Sequence, residues 1–449
     1  MTGAFAHGVG SVQDLPVPQW LFLYGAGIVL VVSFLALAIL WRRPVLEDHP
    51  GGRVLPAPLQ RILLSQTLRV LLGALGFALL VLVTAAALFG ERSTVANISP
   101  TFVYVLFWLG LVPLVVLLGD VWAPLNPWRA ASDAVAWVGD RLGLGGAEPL
   151  PYPARLGRWP AALGLLLFTA LELAYYDPAD PRVLGFAILV YSAVTWIGAL
   201  VWGRDAWFEN GEAFTSYFGL LSRTAPLAVR DNGARRDIVL RPPVIGLAEG
   251  GAPRAGTVAF VAVMLGSVGF DGFSRTTWWG DVRGDLGELL GTVVNLGGLL
   301  AAVLAVTAFY LLAVAAARAL ARTDIPLARA FVASLIPIAL VYAVSHYFSL
   351  LVVQGQFAIP LLSDPFGWGW DLFGTADYRP NLAPLAPSTI WYVQVATLVA
   401  GHVVGLVLAH DRALALFRGN AARALRTQYP FLVLMVAYTV GGLWLLSQD

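Results

Sequence analysis

Residues 19–41 read QWLFLYGAGIVLVVSFLALAILW, with no charged side chain anywhere in the run. At 1.5 Å per helical residue, a stretch of this length covers the roughly 30 Å of a bilayer's hydrocarbon core. Nine comparable runs follow, near residues 68–90, 101–119, 159–176, 183–203, 255–273, 289–317, 330–352, 390–410 and 429–446. The pattern predicts an all-α, polytopic integral membrane protein of about ten transmembrane helices, forming a single transmembrane domain over residues 1–449. Composition points the same way: 58% of the residues are apolar, only 12% are charged, and the mean hydropathy is +0.75. A water-soluble fold of this length could not hide so much apolar surface.

Charge placement tests the helix list independently. All 28 basic residues are Arg, and from the N-terminal tail through each successive connection they number 0, 5, 1, 4, 1, 7, 2, 3, 1, 4 and 0. Translocating positive charge is disfavoured, so the Arg-rich connections belong to the cytoplasm and both termini to the outside. A missed or invented helix would put the alternation out of step. The tail before the first run has no Arg or Lys, and that run exceeds a signal-peptide core, so it is expected to stay as a membrane helix. With no cysteine, disulfides, thiolate metal sites and Cys-attached haem are excluded. The chain has no basic stripe with interleaved aromatics, no P-loop and no dinucleotide fingerprint, so the expected partners are the lipid bilayer and a small-molecule or ionic substrate, with no nucleic acid.

Two cytoplasmic segments, 120–145 and 204–254, read as interfacial, with Phe214–Leu221 as an interfacial helix. The first opens with Asp120-Val121-Trp122 and the second with Asp205-Ala206-Trp207, each just past a helical hairpin of matching length. This spacing suggests an internal repeat of helices two and three against four and five, although any helix leaving a membrane favours interfacial Trp. Outside, the Trp-, Gly- and Pro-rich loops 274–288 and 353–389 suit a cap over the outer mouth.

Ionisable groups inside apolar spans cost some 2.5–3.5 kcal/mol to insert, so each is a functional candidate. Counting from the cytoplasmic end, Glu172 lies roughly 20 Å up, Asp271 roughly 24 Å and His346 roughly 23 Å, with Asn295 at a similar depth on the next helix. Tyr342, His346, Ser349 and Gln356 share one face of their helix, within about 80° of one another. His402 sits between Gly401 and Gly405, which allow a neighbouring helix to approach closely and make a packing role natural. His346 and His402 differ in depth by roughly 10 Å, which disfavours a haem held between them. His346, Glu172 and Asp271 are therefore the candidate catalytic or ion-handling groups, with Tyr342, Ser349, Gln356, Asn295 and His402 as candidates along a substrate or ion path. The same carboxylates and imidazole could bind a proton or a divalent metal such as Zn²⁺.

Gly119 to Trp128, Ser345-His346-Tyr347-Phe348-Ser349 with Gln354-Gly355-Gln356, and Gly401-His402 through His410-Asp411-Arg412-Ala413-Leu414 together resemble a bacterial polytopic membrane family identified as fenitrothion hydrolase. The resemblance runs through most of the chain. It implies a bacterial cytoplasmic (inner) membrane protein and an organophosphate-ester hydrolase activity, and it assigns no residue roles. The residues themselves favour a secondary transporter or permease for a small solute or cation, with membrane-embedded, metal-assisted ester hydrolysis as the alternative.

Overall fold

The computed structural model describes residues 18–49, 52–143, 148–231, 233, 235–249 and 253–447. Its helices are α1 (Gln19–Leu40), α2 (Gln66–Phe89), α3 (Ile98–Leu118), α4 (Pro127–Arg141), α5 (Trp159–Leu173), α6 (Pro181–Trp202), α7 (Arg204–Asn210), α8 (Ala213–Leu221), α9 (Thr257–Ser274), α10 (Glu288–Ala321), α11 (Ile336–Gln354), α12 (Pro387–Leu416) and α13 (Ala421–Leu446), with several one-turn helices between them. Among the described residues nine helical stretches are long and apolar enough to cross a membrane, and the tenth expected span is the shorter α5. The chain is thus an all-helical polytopic protein. Ile28, Val32 and Leu35 on α1 and Leu304 and Leu312 on α10 stand exposed, as side chains facing lipid do.

The termini lie outside the described residues, but the helices next to them run antiparallel and in contact. Gly27 of α1 packs on Val436 and Val440 of α13, and Phe34 packs edge-on against Tyr429. The outer end of α1 therefore adjoins the end of α13, as an even number of crossings requires. Two helices form the centre. In α9 72% of the apolar window is buried, and in the stretch containing α11 61%, against 17–39% for the other spans. These central helices carry Asp271 and His346.

Beyond α6, the helix expected at the interface over Phe214–Leu221 lies inside the protein. Trp207 and Phe208 are buried, and α8 is buried in protein along almost its whole length, packed beneath α5 rather than lying on the bilayer surface. The reason is composition: Phe214, Tyr217, Phe218, Leu220 and Leu221 fall within about 160° of one another and make a broad apolar face that needs protein against it. Gly198 makes room, since a Cβ there would strike the Trp207 ring. Beyond α8 the chain forms a sheet that the sequence reading did not anticipate. Strands β1 (Arg53–Val54), β2 (Leu227–Asp231) and β3 (Arg236–Leu240) pair antiparallel in the order β1-β3-β2, with Leu240 opposite both Arg53 and Leu227. Gln60 fastens the first loop to it, donating to Leu55 O (2.7 Å) and accepting from Ile238 N (3.2 Å).

Each of the two Asp-x-Trp segments is followed by a helix with a side-chain cap. Asp120 caps the turn Trp122–Leu125 by accepting from Ala123 N, after which Asn126 caps α4; Asp205 lies in the first turn of α7, after which Glu212 caps α8. The caps meet, Asn126 Nδ2 donating to Glu212 Oε2 (3.2 Å). Asp120 and Asp205 themselves do not pair, since Asp205 takes an ion pair with Arg129.

Candidate functional site

Two of the expected groups, Asp271 and His346, come together in the bundle. Asp271, three residues before the end of α9, is 3% exposed, and His346 on α11 is 6% exposed. His346 Nε2 lies 2.9 Å from Asp271 Oδ2, and a hydrogen on Nε2 completes the bond. Tyr347 OH donates to the same oxygen at 2.7 Å, and Arg275, one turn beyond Asp271 on α9, donates to Oδ1 at 3.2 Å. The Tyr342 ring lies nearly parallel to the His346 ring, with centroids 6.4 Å apart. Glu172 on α5 is within electrostatic reach of both Asp271 and Tyr347.

Helix geometry explains the assembly. Gly272, beside Asp271, leaves its Cβ position 3.6 Å from Tyr342 Oη and 3.8 Å from His346 Cε1, so α9 and α11 approach closely there. A carboxylate buried with an Arg one turn away on its own helix is charge-compensated before any partner helix arrives. Asp271⁻ and Arg275⁺ offset one another, and a proton taken up by His346 adds one positive charge beside the carboxylate that its Nε2 already meets.

Other expected members go elsewhere. Asn295 accepts from Trp279 Nε1 (3.2 Å) and so ties α10 to the outer helix Thr277–Arg283. Gln356 holds the outer loop, donating to Asn381 O (2.9 Å) and accepting from Asn381 N (3.0 Å) and Tyr378 OH (3.2 Å). His402 is 1% exposed, its Nδ1 2.8 Å from Leu398 O in its own helix, with Val341 and Ser334 of the neighbouring segment pressed on Gly401 and Gly405. Ser349 is buried next to the site, and its Oγ has no hydrogen-bond partner among the described residues. Among the described residues no three His, Cys, Asp or Glu side chains come together to hold an ion. The geometry gives the reason, because both oxygens of Asp271 are already engaged by Arg275, His346 and Tyr347.

Sequence reading missed Arg275 and Tyr347. Arg275 was detectable as the i+4 partner of a buried Asp. Tyr347 was not, because it points about 100° away from the His346 face and only the position of α9 brings it to Asp271. Comparison of the chain with models of known protein families, with curated proteins and with solved structures gives no match.

Proposed function

We propose that this multi-pass membrane protein is a proton-coupled secondary transporter for a small solute or cation in a bacterial cytoplasmic membrane, with Asp271 and His346 as its outward-side proton site. One observation carries the reading: a carboxylate on one central helix shares an oxygen with an imidazole and a phenol from another, deep in apolar surroundings. Burying such a group costs several kcal/mol, and a packing role would be served more cheaply by apolar side chains. Glu172 supplies a second carboxylate through which the proton can be passed inward.

The test is reconstitution in liposomes with an entrapped pH-sensitive dye under imposed Na⁺, K⁺ or Mg²⁺ gradients, run alongside an assay of aryl phosphotriester hydrolysis with and without added Zn²⁺. Proton flux that Asp271→Asn abolishes supports transport. Phosphotriester turnover without flux would overturn it and install the hydrolase that the family resemblance implies.

A further inference from the structure

We infer that the joint where α5 and α9 begin is a binding site for a phosphate group, held by the Arg158 guanidinium, the Thr257 hydroxyl and the first turn of α9. The inference is independent of the transport reading above.

The two helix starts touch. Arg158, the residue before α5, donates its backbone N–H to Ala255 O (2.7 Å). Gly256, the residue before α9, has φ +78° and sits so close to the start of α5 that a Cβ there would lie 2.6 Å from Trp159 N. Neither start is capped by a side chain. The opening N–H groups of an 18-residue helix such as α9 have no carbonyl of their own helix to meet, and together with the helix dipole they favour an anion. Thr257 N is taken by Arg254 O (3.2 Å), which leaves the N–H groups of Val258 and Ala259 without a side-chain cap.

Two buried donors at this joint have no acceptor among the described residues. Thr257 is 3% exposed, and its Oγ1 has no hydrogen-bond partner. As the first residue of α9 it has a Cα–Cβ bond that leans toward the open end of the helix, so its hydroxyl is carried to the side where the free N–H groups point. Arg158 Nε is likewise buried and unpartnered. Burying a donor without an acceptor is unfavourable, and most of all for a cation. Packing gives no reason to place both donors at one joint; an anion bound there does.

The surroundings are mainly of one sign. Arg158 has Arg254 and Arg223 within electrostatic reach, and only Glu209 against them. Glu209 is already held by Arg254, which donates to its backbone oxygen (2.8 Å) and to Oε1. Arg223 donates to Gly246 O (2.6 Å) and Glu249 O, and the Glu249 carboxylate pairs with Arg241 (2.7 Å). Three cations then face one carboxylate around the joint. Burial, with the two neighbouring arginines, pushes the Arg158 guanidinium down to about 10, which leaves it charged at neutral pH. A phosphate group brings the matching charge and several acceptor oxygens, enough to serve Arg158, Thr257 and the backbone N–H groups at once. Trp159 is exposed and the Arg254 side chain is 38% exposed, so the joint opens to the surface at the end of α9 away from Asp271. A lipid phosphodiester headgroup and free phosphate both carry this chemistry.

The test takes the purified full chain in a neutral detergent and follows unfolding by tryptophan fluorescence. The probes are inorganic phosphate, with chloride at equal ionic strength as control, and mixed micelles of phosphatidylglycerol, with phosphatidylcholine as control. A melting point raised by phosphate identifies a free anion as ligand, and one raised by phosphatidylglycerol alone identifies the headgroup. Arg158→Gln should abolish either response, whereas the general stabilising effect of phosphate salts acts on both proteins alike. No response to either probe, an equal response to the controls, or a response that Arg158→Gln retains in full would overturn the proposal. Should Arg158→Gln fail to fold, Thr257→Val keeps the side-chain shape, removes the hydroxyl and should weaken binding of the stabilising probe about tenfold, and an unchanged affinity would equally overturn it.

Discussion

The molecule holds two buried His–Asp arrangements that use the same residue types for opposite ends. At the outer site Asp271 meets three side chains, His346, Tyr347 and Arg275. At the cytoplasmic end of α12, Asp411 is 1% exposed and accepts from Trp41 Nε1 (2.9 Å) and from the backbone N–H groups of Val45, Leu46 (3.1 Å) and Glu47 (2.9 Å). His410 beside it lies 2.8 Å from Gln428 Oε1 and 2.9 Å from Trp41 O, and Arg412 grips both oxygens of Glu47. Asp411 thus replaces the helical partners that the chain leaving α1 has lost, and it binds that loop to α12. A carboxylate saturated by backbone donors has no exchange to make; one shared with an imidazole and a phenol does.

The sharpest break of that contrast is Asp411→Ala. It orphans four partly buried donors at once and should cost about 3–5 kcal/mol of stability, while flux per folded molecule survives. Denaturation in detergent that leaves the melting point unmoved would dissolve the distinction between clamp and site. Next is Asp271→Asn, which keeps the shape but not the charge and should lower proton flux about 100-fold, or about 2.7 kcal/mol of barrier, with little change in melting. His346→Gln should lose at least tenfold, about 1.4 kcal/mol, and a fully active variant would make this imidazole structural. His402→Leu sharpens the comparison from the other side: with only one ring nitrogen bonded, and that to its own helix, its loss should move stability by no more than about 1 kcal/mol and leave flux intact.

The smallest effect belongs to the exposed pair Asp48–Arg418 at the rim of the clamp. The hydrogen bond from Arg418 holds the Asp48 carboxyl below its ordinary range. A depressed carboxyl contributes stability above its unfolded pKa and loses it as pH falls through the folded one. Arg418→Ala should therefore shift melting only marginally at neutral pH, and the difference from wild type should vanish in acid. Solvent screening is the reason for the small size, and a shift that persists in acid would show that Arg418 acts through packing instead.

How much of this was legible differs between the parts. The apolar runs placed the helices, because each span must satisfy its own backbone bonds in lipid and so announces itself locally. The rise per residue put Asp271 and His346 at one height, and they do touch. Rotation is another matter: Asn295 shares that depth yet faces the outer cap, because depth along a helix says nothing about which neighbour stands at a given azimuth, whereas Gln356 shares the His346 face but stands about 15 Å farther along. The hairpin β2–β3 carries a turn signal in the Asn-Gly step at 232–233, between its two strands.

The sequence by itself determined that this chain is a mainly helical polytopic protein, since hydrophobic length is a property of each segment alone. Only the tertiary structure decided that α8 is buried in protein, that Glu212 meets Asn126 and Tyr191, and that Asp271 shares an oxygen with Tyr347. Those contacts join residues far apart in the chain. They depend on how helices rotate and how closely their backbones approach, and small residues such as Gly272 and Gly198 settle that only once every neighbour is in place.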